Sequence, residues 1–169
     1  DLKTLLYAED FQDYYLLKLD LTSYYDSINL QKLEIELINE VEQCANNESI
    51  NDTEAVHYKT IINFLISTSK VITENNKNGL PQGPAYARYL AEFYLSSTDK
   101  IIESLIRQEG FFFRYVDDIF IIMPTKLDID NIETKLVEHF ATKSLKINDS
   151  KTYKGTISSY TSLFEEYVD

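Results

Sequence analysis

Between Phe112 and Ile122 the chain reads Phe-Phe-Arg-Tyr-Val-Asp-Asp-Ile-Phe-Ile-Ile, two short apolar runs separated by adjacent carboxylates. Each run has the length of a β-strand, so the segment predicts a hairpin whose tight turn presents Asp117 and Asp118 at its tip. Apolar strands demand burial, whereas carboxylates a few ångströms apart repel one another and resist leaving water. A divalent cation is the simplest compensation. The hairpin therefore points to metal-dependent chemistry.

The other carriers of metal or nucleophile chemistry are scarce. Cys44 is the only cysteine, which excludes disulfides and thiolate metal clusters. His57 and His139 are isolated and read as structural or exposed residues. At 169 residues the length argues for one domain with a real core, to which 13 Tyr and 9 Phe supply much of the bulk. The longest apolar runs are far too short to cross a bilayer, and no signal-peptide pattern opens the chain. A cytoplasmic protein without a membrane partner is expected. The net charge of −12 has the wrong sign for a free-standing nucleic-acid binder. Much of the acidic excess lies between Glu34 and Glu54, apart from the segments that carry chemistry.

Hydrophobic periodicity predicts a buried strand over 14–21 that ends at Asp20, followed by a turn over 22–29. Leu30, Leu33, Leu37, Ile38 and Val41 then recur at helical spacing. A second helix is predicted over about 54–73, with Val56, Ile61, Ile62, Leu65 and Ile66 inward, and a polar connector over 74–78. Gly79-Leu80-Pro81-Gln82-Gly83-Pro84 leads into a third helix from Ala85 to Gln108, with Gly110 as a stop signal. Beyond the hairpin, Pro124 ends the strand, residues 128–143 read as a helix, and 145–148 and 153–159 are weaker strand candidates. The order β-α-α-α-β-β-α-β predicts an α+β fold, an antiparallel sheet backed by helices. If the strand ending at Asp20 neighbours the hairpin, three carboxylates meet at one sheet edge and offer the oxygen ligands that Mg²⁺ prefers.

These segments resemble the reverse transcriptase palm. Leu19-Asp20-Leu21-Thr22-Ser23-Tyr24-Tyr25-Asp26-Ser27-Ile28 looks like its first catalytic motif, and Gly79-Leu80-Pro81-Gln82-Gly83 like the motif that opens its long helix. Tyr115-Val116-Asp117-Asp118 matches its Y-x-D-D signature, and Asn148-Asp149-Ser150-Lys151-Thr152 is similar to its N-x-x-K-T segment. The resemblance runs from Tyr14 to Thr152 and implies a polymerase palm with a ferredoxin-like (RRM-like) core. It implies transfer of dNTPs to a 3′-hydroxyl on a nucleic-acid template-primer, with two Mg²⁺ ions, or Mn²⁺ as a substitute. Asp20, Asp117 and the carbonyl of Leu21 would ligate the metals, with Asp118 as a further ligand or tuning group. Tyr25 would be the steric gate against a 2′-hydroxyl. Gln82 would touch the incoming nucleotide, and Gly83 would let backbone approach it. Lys151 would protonate or neutralise the departing pyrophosphate, while Arg114 and Tyr115 would hold primer or template.

Group II intron enzymes usually follow Pro-Gln-Gly with Ser-Pro, whereas this chain continues Pro84-Ala85-Tyr86-Ala87-Arg88-Tyr89-Leu90-Ala91-Glu92. That run looks more like abortive-infection and other antiphage-defence reverse transcriptases, some of which work without a template or prime from a protein side chain, and relatives of which often assemble into oligomers. Neither a basic fingers segment nor a thumb is recognisable, so residues 1–169 are expected to be a single palm fragment, inactive or weak alone. An RNA-synthesising palm would place a polar residue where Tyr25 stands, and a nucleotide cyclase would carry a G-G-[DE]-E-F segment. A degenerate palm kept as a binding module has no evident reason to retain three mutually repelling acids.

Overall fold

Strands form where runs of Leu, Ile and aromatic residues can be buried on both faces. The computed structural model describes residues 1–74, 77–107 and 109–165. Its strands are β1 (Tyr15–Leu19), β2 (Phe111–Tyr115), β3 (Asp118–Met123) and β4 (Tyr153–Thr156). Its helices are α1 (Leu2–Leu6), α2 (Tyr24–Ser27), α3 (Leu30–Asn46), α4 (Asp52–Ile72), α5 (Ala85–Ile106), α6 (Lys126–Thr142) and α7 (Ile157–Glu165). The chain divides into two compact units, one of residues 1–22 with 97–169 and one of residues 23–96.

The first unit holds the sheet, ordered β2-β3-β1-β4 with every neighbouring pair antiparallel. A strand order of this kind from a β-α-β-β-α-β chain is the ferredoxin-like arrangement. Leu17 faces Ile121 and Leu19 faces Ile119, so these four buried side chains share one face. Helix α6 packs there through Ile129, Ile132, Leu136 and Phe140, a stripe at helical spacing. On the opposite face Leu16 and Ile122 form a cluster with Ile157 and Tyr160 of α7, flanked by Leu2, Leu5 and Leu6 of α1. Residues 145–148 contribute one bridge, Leu21 with Ile147, rather than a strand. The strand predicted over 153–159 stops at Thr156, where α7 begins. Both α1 and α7 escape a periodicity search because they are short and pay out their apolar residues to one cluster assembled from distant segments.

The second unit is helical. Asn29 caps α3 by accepting from the Lys32 N–H, and Asn51 with Glu54 forms a capping box on α4. Helix α4 buries Ala55, Ile62, Ile66 and Ser69. Val56 and Ile61, predicted inward, are 62% and 52% exposed: the packed stripe is narrower than the apolar content of the helix suggests. Tyr24 is buried and donates its hydroxyl to the Ala91 carbonyl at 2.5 Å. Replacing it with Phe leaves that carbonyl one donor short, and a loss of about 1 kcal/mol is expected in denaturant unfolding.

The predicted connector includes Asn75 and Asn76 and the predicted end of the third helix is Gln108, all outside the described residues. Among the described residues no helix is long and apolar enough to cross a membrane.

Candidate active site

The acidic hairpin is present, with Asp117 in its turn and Asp118 opening β3 rather than standing at the tip. Tyr115 pairs with Asp118, leaving Val116 and Asp117 as a two-residue loop. Val116 has φ +57°, a left-handed conformation that costs a β-branched residue about 1–3 kcal/mol. Arg114 braces this turn. Its Nη1 donates to the Val116 carbonyl at 2.9 Å, while Nε and Nη2 each donate to the Asp99 carboxylate at 2.7 Å. The guanidinium predicted to contact nucleic acid is thus engaged within the protein, where it ties the turn to α5. Arg114→Lys cannot reproduce the fork, and a loss of about 1–3 kcal/mol in unfolding free energy is expected. Tyr115, by contrast, is 73% exposed.

Asp20 follows β1 directly, and the Leu19–Ile119 pair brings it to the sheet edge where Asp118 begins β3. It is only 7% exposed. The 148–152 turn serves it closely: the Asn148 N–H donates to the Asp20 carbonyl at 2.8 Å, and Asn148 Nδ2 donates to Oδ1 at 3.1 Å. Lys151 Nζ lies 3.3 Å from Oδ2, and the Thr152 hydroxyl closes the turn on the Asn148 carbonyl at 3.0 Å. Asp118 has its own cation, Lys18 Nζ at 3.7 Å, which also lies 5.6 Å from the centre of the Phe120 ring. Burial, first of all, pushes the Asp117 carboxyl above the ordinary carboxylate range; repulsion from Asp20 and Asp118 adds to this, and Lys151 opposes it.

Asp20 with its partner Lys151, and Asp117 and Asp118, thus lie at the same end of the paired strands β1 and β3. Among the described residues, no three Asp, Glu, His or Cys side chains converge into a ready metal-binding group. The donor chemistry nonetheless suits a hard divalent cation, since Asp20, Asp117 and Asp118 offer carboxylate oxygens. The bridge at Leu21 is flanked by bonds from the Thr22 and Asn148 N–H groups, so the Leu21 carbonyl stands outside it. Two participants, Lys18 and Asn148, were not singled out as site residues by the sequence. The signals were there, a lone lysine in an apolar strand and the asparagine of the N-x-x-K-T segment.

Within the second unit, Tyr25 is half-buried with its ring edge-on to Tyr24 at 5.8 Å. Its carbonyl accepts the Leu80 N–H at 2.9 Å, which ties the loop carrying Gln82 and Gly83 to Tyr25. Gln82 is exposed. Gly83 has φ +115° and open space where a side chain would start, a backbone that something else can approach closely.

The profile of the reverse transcriptase (RNA-dependent DNA polymerase) family matches residues 4–161. The chain belongs to the reverse transcriptase family. No curated protein matches. Among solved structures, the apo telomerase of Candida tropicalis lacking its C-terminal domain is similar with a TM-score of 0.62 at 15% identity, covering 84% of this chain and 30% of that one. The same organism's telomerase in complex with a TWJ fragment of telomeric RNA gives a TM-score of 0.64 at 16% identity, covering 90% of this chain and 27% of that one. The chain thus spans about three-tenths of the length of those telomerase structures. At such identities the likeness speaks for the fold, and the fold is that of a polymerase palm.

Proposed function

We propose that this reverse transcriptase palm transfers deoxynucleotides to a 3′-hydroxyl, with RNA as the template. The observation that supports the reading is that Asp20 ends β1 where Asp118 opens the paired β3 and Asp117 stands in the turn before it, within a chain matched to the family almost end to end. Asp20, Asp117 and the Leu21 carbonyl would hold two Mg²⁺ ions, for which Mn²⁺ can substitute, and Asp118 would tune them. When bound, such ions promote ionisation of the 3′-hydroxyl and offset the charge of the departing pyrophosphate. Lys151 supplies a proton or a positive charge to that pyrophosphate. Tyr25 excludes a 2′-hydroxyl, Gln82 contacts the nucleotide, and the Gly83 backbone approaches it. The exposed Tyr115 offers a ring to primer or template, and Arg114 keeps the turn in place for it.

The Pro84–Glu92 run favours a bacterial antiphage-defence or retroelement enzyme, with template-independent or protein-primed synthesis as the second reading. The full-length protein, incubated with labelled dNTPs and Mg²⁺ with and without a primed RNA template, separates these. Template-dependent product supports the conventional activity. Product without template, lost in Asp117→Asn, supports the second reading. No product in either case leaves a palm that only binds.

A further inference from the structure

Each of two site carboxylates is already paired with a lysine. Lys151 lies 3.3 Å from Asp20, and Lys18 lies 3.7 Å from Asp118. The Asp20 side chain is 10% exposed, a burial that an ionised carboxylate tolerates only with a partner, while the Lys151 side chain is 63% exposed and free to swing on its long stem. Lys18, in the same position, also lies 5.6 Å from the centre of the Phe120 ring, a contact that does not depend on Asp118. Two ammonium groups thus offset the charges of Asp20 and Asp118.

We propose that Lys18 and Lys151 are placeholder cations, which hold Asp118 and Asp20 in the metal-free protein and compete with divalent ions for them. The inference rests on the metal reading above. Binding of an ion then requires displacing an ammonium group, so metal affinity is low until something else attracts the released lysines. A triphosphate does this: its negative charge draws both ammonium groups from the carboxylates, and nucleotide and metal bind with positive coupling. Lys151 is the stronger competitor, because its pair is shorter and its partner more buried.

The test is Mn²⁺ binding to the full-length protein by electron paramagnetic resonance, without substrate and then with a non-hydrolysable dNTP analogue. Lys151→Met is expected to tighten nucleotide-free Mn²⁺ binding roughly tenfold, through loss of one nearby positive charge. Lys18→Met is expected to give a smaller gain, and Lys151→Arg none. Lys59→Met, which removes a lysine paired with Glu42 on the helical unit, is expected to leave the affinity unchanged. The analogue should tighten Mn²⁺ binding in the wild type more than in Lys151→Met. Equal affinity in wild type and Lys151→Met, or an equal gain in Lys59→Met, overturns the placeholder role while leaving the metal site standing. Wild-type protein that binds no Mn²⁺, or binds it as well after Asp20→Asn, overturns the metal reading and this inference with it.

Discussion

Asp117→Asn is expected to abolish nucleotide addition while leaving the fold intact. The substitution keeps the shape of the side chain and removes the charge that a cation-dependent transfer requires. A loss of at least about a thousandfold in primer extension is the scale expected when a charge central to metal-assisted catalysis is removed. Stability is expected to move the other way. The Asp117 carboxyl is raised above its ordinary value, first by burial and then by Asp20 and Asp118. A carboxyl raised in the folded state binds its proton more tightly there than in the unfolded chain. Its stabilising contribution is therefore present below the ordinary carboxylate range and lost as pH rises through the raised value. At neutral pH the ionised side chain opposes folding, so Asp117→Asn should melt higher than wild type at pH 7. The difference should shrink on acidification toward pH ~4. Primer extension and a melting series across this range check both halves. An inactive variant that melts lower at pH 7 would mean that Asp117 is structural; full retained activity would sink the metal assignment.

Tyr25→Ala is expected to relax sugar selectivity. A ring that fills the space of a 2′-hydroxyl discriminates by overpacking, which costs about 1–3 kcal/mol when space must be found for extra atoms. The ratio of kcat/KM for dNTP over rNTP should fall about 10- to 100-fold in the full-length enzyme. Tyr25→Phe should keep the ratio, because the ring and not its hydroxyl does the excluding. The backbone bond from Leu80 to the Tyr25 carbonyl survives either change, so the Gly79–Pro84 loop stays tethered. A small loss of stability accompanies Tyr25→Ala, since the edge-on contact with Tyr24 disappears. An unchanged ratio would assign Tyr25 to packing alone.

The central strands were readable because their largely apolar runs, broken only by Lys18 in β1, fill buried positions at 15–19 and 119–123. The long helices α3, α4, α5 and α6 were readable, the first two through the helical spacing of their apolar residues. What escaped reading depended on partners remote in sequence. Helix α7 takes over at Ile157, where Ile157 and Tyr160 join Leu16 and Ile122, although the alternation of Tyr153, Gly155 and Ile157 let the strand reading run on to 159. Val56 and Ile61 look as apolar as Ile62 and Ile66, and only the packing of α4 decides which of them is covered.

The candidate site divides in the same way. The sequence by itself determined the hairpin, because adjacent carboxylates between two apolar runs call for a tight turn there. It also determined the family, through short motifs whose order along the chain is specific. Only the tertiary structure decided what those acids touch. Lys18 and Asp118 are a hundred positions apart in sequence, and Lys151 reaches Asp20 across most of the chain. Arg114, a candidate nucleic-acid contact, is bound by Asp99 of α5 and braces the acidic turn. Local pattern reports what a residue needs, burial or water or a charge. Which group meets that need is settled when strands and helices far apart in the chain are brought side by side.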